Sequence, residues 1–395
     1  MQVERPMITS RQFIILAFIG GMAIKGLMLP SLLMRISGKD GLFVLAFYFA
    51  IEILNLALIS VLVVKYPEKN FFNMLEECFG KVGSRILCVL ILIAATIKYT
   101  LNLSEVKAFF TLEMFSAFNW TVMIIPLVAL TAVISVKSLR VLGRTAEIFF
   151  PFILAGILFL SLILFREVPL ENVLPLGEGG IKPIADGIAE FPIWFGDVIV
   201  TGVALGNVKK EKGTVLKCVL MRVFAAVMII SFSVVLFATY GNIVPLVKYG
   251  HNITSLTQYN LGSQQYGRFD LIIYAIWVSG VFIKMAMNAY LATRCAAVAF
   301  NVKNYKYVAA ALAVLAFALS AFIVPTVSKV YILSTSTWAK IIFSLVEYCL
   351  PPVLFIAANV KYRGGGKPDE GKTADENETE PQQPNLKGEK TSEAG

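Results

Sequence analysis

Apolar runs of about 20 residues, the length that crosses roughly 30 Å of hydrocarbon, recur along the chain between short stretches of charge. They predict membrane helices at residues 11–34, 41–64, 85–115, 120–136, 140–165, 183–206, 214–239, 269–299, 306–324 and 338–360. Between the second and third runs, Phe71, Phe72, Leu75, Cys78 and Phe79 repeat at helical spacing beside charges. That pattern predicts a short interfacial helix over 70–83. Residues 167–182 form a polar connection, and residues 241–267 a long loop holding the only histidine, His251. From Gly364 onward the chain is polar and Gly- and Glu-rich, the composition of a disordered tail.

Two of the apolar runs are interrupted. The first contains Gly20-Gly21, then Lys25-Gly26, then Pro30. The sixth contains Phe191-Pro192-Ile193-Trp194-Phe195-Gly196-Asp197 in the middle of its span. Glycine costs about 1 kcal/mol relative to alanine inside a helix, and an intramembrane charge is expensive. A plain anchor has no use for either. Helices that unwind at mid-membrane to show backbone groups to a ligand use both, and such breaks in matching places of two halves point to a transporter-type site. The expected fold is therefore all-α and polytopic, with ten transmembrane helices in a five-plus-five inverted repeat and broken first and sixth helices. No similarity between the two halves is visible by eye, so the repeat rests on the matched positions of the breaks.

Composition agrees. The chain of 395 residues is 57% hydrophobic and only 15% charged, whereas a soluble domain is nearer a quarter charged. The net charge of +9 is then read by position. Short loops on the side of the N-terminus carry 18 Lys and Arg against 9 on the other, which makes the first side cytoplasmic. Both termini lie inside, as an even number of spans requires. The expected organisation is a cytoplasmic N-terminus at 1–10, a membrane domain at 11–362 with repeats near 11–166 and 183–360, and a cytoplasmic tail at 363–395. The residues before Phe13 are too few and too polar for a cleaved signal peptide. Five cysteines show no metal spacing and leave an odd one over; four fall in or near apolar spans, so they read as buried thiols.

Candidate chemistry concentrates at the two breaks. Gly20 and Gly21, with Met22 beside them, are the expected point of unwinding, where freed backbone groups would meet a ligand and a helix terminus would favour its carboxylate. Close packing through small residues is the alternative. At the second break, Phe191, Trp194 and Phe195 form an aromatic lining around Gly196. Lys25, Glu52, Lys98, Asp197 and Lys284 fall near mid-membrane, where ionisable residues usually face the interior and pair. Lys25 with Asp197 is the first pair to expect. Glu147 and Arg222 fall nearer the inner ends of their spans, and Arg222 could snorkel to the interface. Thr96, Tyr99 and Leu103 share one helical face, as do Ser279, Ile283, Met287 and Tyr290, and these faces could complete a pocket. No phosphate-binding loop, metal cluster or nucleophile–base constellation is present, so neither an enzyme nor a cofactor is expected.

Several of these motifs, taken with their order and spacing, resemble the spore germination permease family, over residues 8–362. They are Ile8-Thr9-Ser10-Arg11-Gln12-Phe13, Leu29-Pro30, Tyr66-Pro67-Glu68-Lys69 and Thr145-Ala146-Glu147-Ile148-Phe149-Phe150-Pro151. Further along come Leu174-Pro175, Gly180-Ile181-Lys182-Pro183-Ile184, Phe191-Pro192, Phe195-Gly196-Asp197 and Phe282-Ile283-Lys284. The family comprises the B subunits of germinant receptors, within the amino acid–polyamine–organocation transporter superfamily. The resemblance implies a receptor in the spore inner membrane, working with a membrane A subunit and a lipoprotein C subunit. It implies a small germinant, typically an amino acid, whose binding starts release of ions and dipicolinate. Lys25 departs from the family's pattern and would reposition the ligand or pair internally, and the polar tail is long for the family. A proton-coupled amino-acid transporter using Glu147 or Asp197 is the second reading, and an ion-conducting channel subunit the third.

Overall fold

A computed structural model describes residues 7–23, 25, 29–111, 120–165, 168–209, 211–241, 270–324 and 326–363. The loop with His251 and the polar tail lie outside the described residues. The described structure is almost entirely helical. Its helices are α1 (Ser10–Met22), α2 (Leu29–Ser37), α3 (Gly41–Lys65), α4 (Phe71–Phe109), α5 (Trp120–Val136), α6 (Leu139–Leu164) and α7 (Ile181–Glu190). After the second break come α8 (Ile199–Gly202), α9 (Thr214–Tyr240), α10 (Asp270–Phe300), α11 (Tyr305–Ala318), α12 (Val327–Ser334), α13 (Thr337–Phe343) and α14 (Leu350–Arg363). The one pairing of extended backbone among the described residues joins Ile8 to Val208.

Among the described residues, seven helical stretches are long and apolar enough to cross a membrane: Leu29–Lys65, Phe71–Phe109, Leu139–Leu164, Thr214–Tyr240, Ala275–Phe300, Tyr305–Ile323 and Thr337–Tyr362. The protein is thus a multi-pass membrane protein. The expectation of ten spans counts each interrupted run as one crossing, whereas length and composition qualify these seven. The three expected runs outside the seven appear as shorter pieces: α1 has 13 residues, α5 has 17 and α7 has 10, while α2 continues into α3 as the first of the seven stretches.

Local sequence explains the ends and bends. Thr9 caps α1, its hydroxyl accepting from the Gln12 amide while the Gln12 side chain accepts from the Thr9 amide, the reciprocal arrangement that satisfies two orphan donors. Gly80 adopts φ +73° within α4. That conformation is open to glycine at little cost, and it sets the amphipathic turns from Phe71 apart from the apolar stretch beyond. The interfacial helix expected over 70–83 corresponds to this first piece. Two π-helical turns, at Leu319–Ile323 and Ser344–Cys349, interrupt the last helices. Such turns are rare and frequent at functional sites.

Helix α10 runs through the middle, packing on α4, α5, α6, α11 and α1, while α1 also packs on α6 and α9, and α3 on α7 and α9. The outward faces of α6, α9 and α14 expose large apolar side chains such as Ile148, Leu162, Leu220 and Ile356, as lipid contact requires. At one end, Ile8 donates to Asn207 at 2.7 Å and accepts from Lys209 at 2.9 Å, and Ser10 and Thr214 share a hydroxyl bond of 2.5 Å. Lys65 donates to Asn359 at the end of α14, and Val64 and Thr214 line one hollow.

Candidate functional site

Helix α1 ends at Met22, and Ala23 and Lys25 lie outside it, so the first break comes later than the glycine pair suggested. Gly20 and Gly21 stay helical, in the last turn of α1. Their role is to clear space. A methyl group on Gly20 would sit 3.2 Å from the end of Met287, and one on Gly21 would sit 1.1 Å from Arg222 Nη1. Gly21 is the floor on which a guanidinium rests, so the expectation of unwinding at these glycines is corrected to close packing. The sequence signal was ambiguous because glycine serves both purposes. Met22, half-buried, ends the helix, and Lys25 stands in the break itself, fully buried.

The second break lies where the sequence placed it. Helix α7 ends at Glu190, Pro192–Trp194 makes one tight turn, and α8 begins at Ile199. Gly196 has φ +81°, and a methyl group there would lie 2.4 Å from Glu347 Cβ. The freed backbone of this break is taken up by side chains from distant helices. The Gly196 amide donates to Glu52 at 2.5 Å, the Phe195 carbonyl accepts from Lys98 at 2.9 Å, and the Pro192 carbonyl accepts from the Tyr348 hydroxyl at 2.8 Å. Phe195 stacks on Tyr48 with ring centroids 4.4 Å apart and meets Phe49 edge-on at 5.6 Å.

Seven charged side chains converge here, each at most 5% exposed. Asp197 is the hub. Its carboxylate pairs with Lys98 at 2.9 Å, Lys284 at 2.9 Å and Lys25 at 3.3 Å. Lys25 also bonds to Glu52 and lies over the rings of Phe49 and Phe195, at 5.5 and 5.1 Å. Lys98 reaches Glu347 at 3.2 Å, and Arg222 faces Glu52 at 3.5 Å. Burying so many ions is costly, and their mutual attraction offsets that cost only where geometry and hydrogen bonding are good. The cluster of Lys25, Lys98, Arg222 and Lys284 with Glu52, Asp197 and Glu347 has one more cation than carboxylates. In a low-dielectric interior that imbalance favours an added anion.

The expected site residues divide accordingly. Lys25, Phe195, Gly196, Asp197 and Lys284 meet in the cluster, and Trp194 lines a small cavity beside it. Phe191, Leu103 and Ile283 are fully buried, Met287 packs on Gly20, and Tyr99 bonds to Thr131 at 2.6 Å. Glu147 lies elsewhere. It pairs with Arg11 at 3.3 Å and accepts from Gln12 at 2.9 Å, at the end of α6 nearest the N-terminus. Its pair is substantially exposed, so Glu147→Gln is expected to cost no more than about 1 kcal/mol. A thermal melt of the purified variant checks this, and a loss of several degrees would show that Glu147 does more.

Arg222 departs from expectation. It does not reach the interface but is completely buried against Glu52, because Gly21 leaves a guanidinium-sized gap opposite it. Glu347 was not among the expected residues, although it falls near the middle of the last apolar run and the reasoning that marked Lys284 applies to it equally. The π-helical turn at Ser344–Cys349 bears it toward the cluster.

Comparison with solved structures places the fold among transporters. A sodium-coupled sialic acid symporter in a substrate-bound, outward-open state aligns with a TM-score of 0.58 at 12% identity, over 86% of this chain and 79% of that one. MhsT in complex with L-phenylalanine aligns at 0.55 and 13% identity, over 90% and 99%. MHP1, a nucleobase-cation-symport-1 family transporter closed on bromovinylhydantoin, aligns at 0.53 and 12% identity, over 90% and 78%. At such identities the likeness concerns the fold. No curated protein matches the chain. Residues 7–330, most of the chain, match the profile of the spore germination protein family, so the protein belongs to that family and is a permease-like membrane protein, not an enzyme.

Proposed function

We propose that the protein is the nutrient-sensing membrane subunit of a spore germinant receptor, in the spore inner membrane with both termini cytoplasmic. It binds a small germinant of the amino-acid class between the two breaks, and it works with a membrane A subunit and a lipoprotein C subunit. The observation that supports this most is the buried charge cluster at the meeting of two interrupted segments, in a chain of the spore germination family. The surplus cation suits a carboxylate, and the Glu52–Asp197 pair that holds the Lys25 ammonium suits a second ammonium. A zwitterion entering the break would exchange protein ion pairs for its own. Such a ligand shifts the protein between states only by its differential affinity for them, and replacing internal ion pairs supplies that difference.

A proton-coupled amino-acid transporter is the second reading, favoured by the fold it shares with a sialic acid symporter and a nucleobase-cation-symport-1 family transporter. Fold alone does not choose between them. Spores lacking the gene, exposed to single amino acids and sugars, should fail to release dipicolinate for one nutrient while vegetative uptake of that nutrient is unchanged. Normal release with lost uptake would reject the receptor in favour of the transporter.

A further inference from the structure

Beside the charge cluster lies a cavity of about 20 Å³ lined by Lys98, Asn102, Glu105, Trp194, Asp197 and Lys284. That is room for a single water molecule. Three of its walls carry polar atoms with no partner among the described residues: both carboxyl oxygens of Glu105, the Asn102 side-chain nitrogen and the Trp194 indole nitrogen. Glu105 is 3% exposed. The acids of the charge cluster differ from it sharply. Asp197 has three lysines, Glu52 has Lys25, Arg222 and the Gly196 amide, and Glu347 has Lys98 with the Ile199 amide 3.5 Å away.

An isolated carboxylate in the interior is among the most costly groups to bury, and in practice such a group neutralises. We infer that Glu105 holds a proton, and that its carboxyl group, Asn102 and Trp194 around this cavity form a proton-binding site next to the charge cluster. The charged groups facing it are Asp197 from the second break, Lys284 from α10, and Lys98 on its own helix. With Asp197 saturated by lysines and Glu147 at the end of the bundle, Glu105 is the buried acid best placed to change its proton. Asn102 and Trp194 supply donors that suit either a bridging water or the ionised carboxylate. A movement of the break that carried Lys284 from Asp197 to Glu105 would turn the acid into a paired carboxylate. The O–H bond would break, its electron pair would stay on Glu105, and the proton would pass to water. The site is thus a link between the geometry of the break and protonation, whichever functional reading holds.

The test uses the purified full-length protein in lipid nanodiscs, so its outcome is independent of germination. A protonated carboxylic acid in apolar surroundings has an infrared C=O stretch clear of the carboxylate bands. At neutral pH the protein should show this band, and Glu105→Gln should remove it while melting with the wild type. A band that survives in folded Glu105→Gln overturns the assignment. If that variant fails to fold, dicyclohexylcarbodiimide labelling of the wild-type protein decides, since the reagent adds to protonated carboxyl groups in apolar sites. An adduct mapped by mass spectrometry to Glu105 supports the site, and adducts confined to other acids reject it.

Discussion

Asp197→Asn is expected to destabilise the protein by about 3–5 kcal/mol, the cost of leaving buried charges without their partner. The substitution keeps the shape and removes the charge that three ammonium groups share. Lys98 falls back on Glu347 and Lys25 on Glu52. Lys284 has no second ion pair among the described residues and bears most of the loss. Thermal unfolding in detergent measures the effect. Adding Lys284→Met to the variant should recover part of the lost stability, because it removes the stranded cation. A single variant that melts with the wild type would mean that the hub contributes little to the fold, and would leave its cost unexplained unless function required it.

Gly196→Leu is expected to abolish the response to nutrient while the protein still reaches the membrane. The positive φ alone costs on the order of 1–3 kcal/mol for a residue with a side chain. The new Cβ would begin 2.4 Å from Glu347 Cβ. Relief requires the break to move away from the π-helical turn, which would disturb the bond from the Gly196 amide to Glu52. Gly20→Leu is expected to be milder, because the obstacle there is the flexible end of Met287. Dipicolinate release from spores carrying each variant, with immunoblots of the membrane fraction, separates the two. Equal and normal responses would remove the second break from the binding site.

Much of the candidate site was legible in the chain because hydrocarbon tolerates so little. Lys25, Lys98, Asp197 and Lys284 declare themselves by being charged inside apolar runs, and the energetic rule that such groups pair inward is nearly independent of the fold. The second break was equally plain, since proline, glycine and an acid in seven residues cannot continue a membrane helix. The first was displaced by several residues, because a Gly-Gly pair reads the same whether it unwinds a helix or admits a neighbour. Only the position of Arg222 opposite Gly21 distinguishes the two.

The sequence by itself determined that the protein is helical and membrane-spanning, that two of its runs are interrupted, and that Lys25, Glu52, Lys98, Asp197 and Lys284 are buried. Those properties follow from hydrophobic length and from the cost of charge in lipid, both local to each run. Tertiary structure alone decided who pairs with whom. Asp197 gathers lysines from α4, α10 and the first break, Arg222 turns inward, Glu347 joins through a π-helical turn, and Glu105 is left without an ionic partner among the described residues. A charge inside a membrane must find a partner. Which one it finds is set by the rotation and depth of helices distant in the chain, and no single apolar run records those.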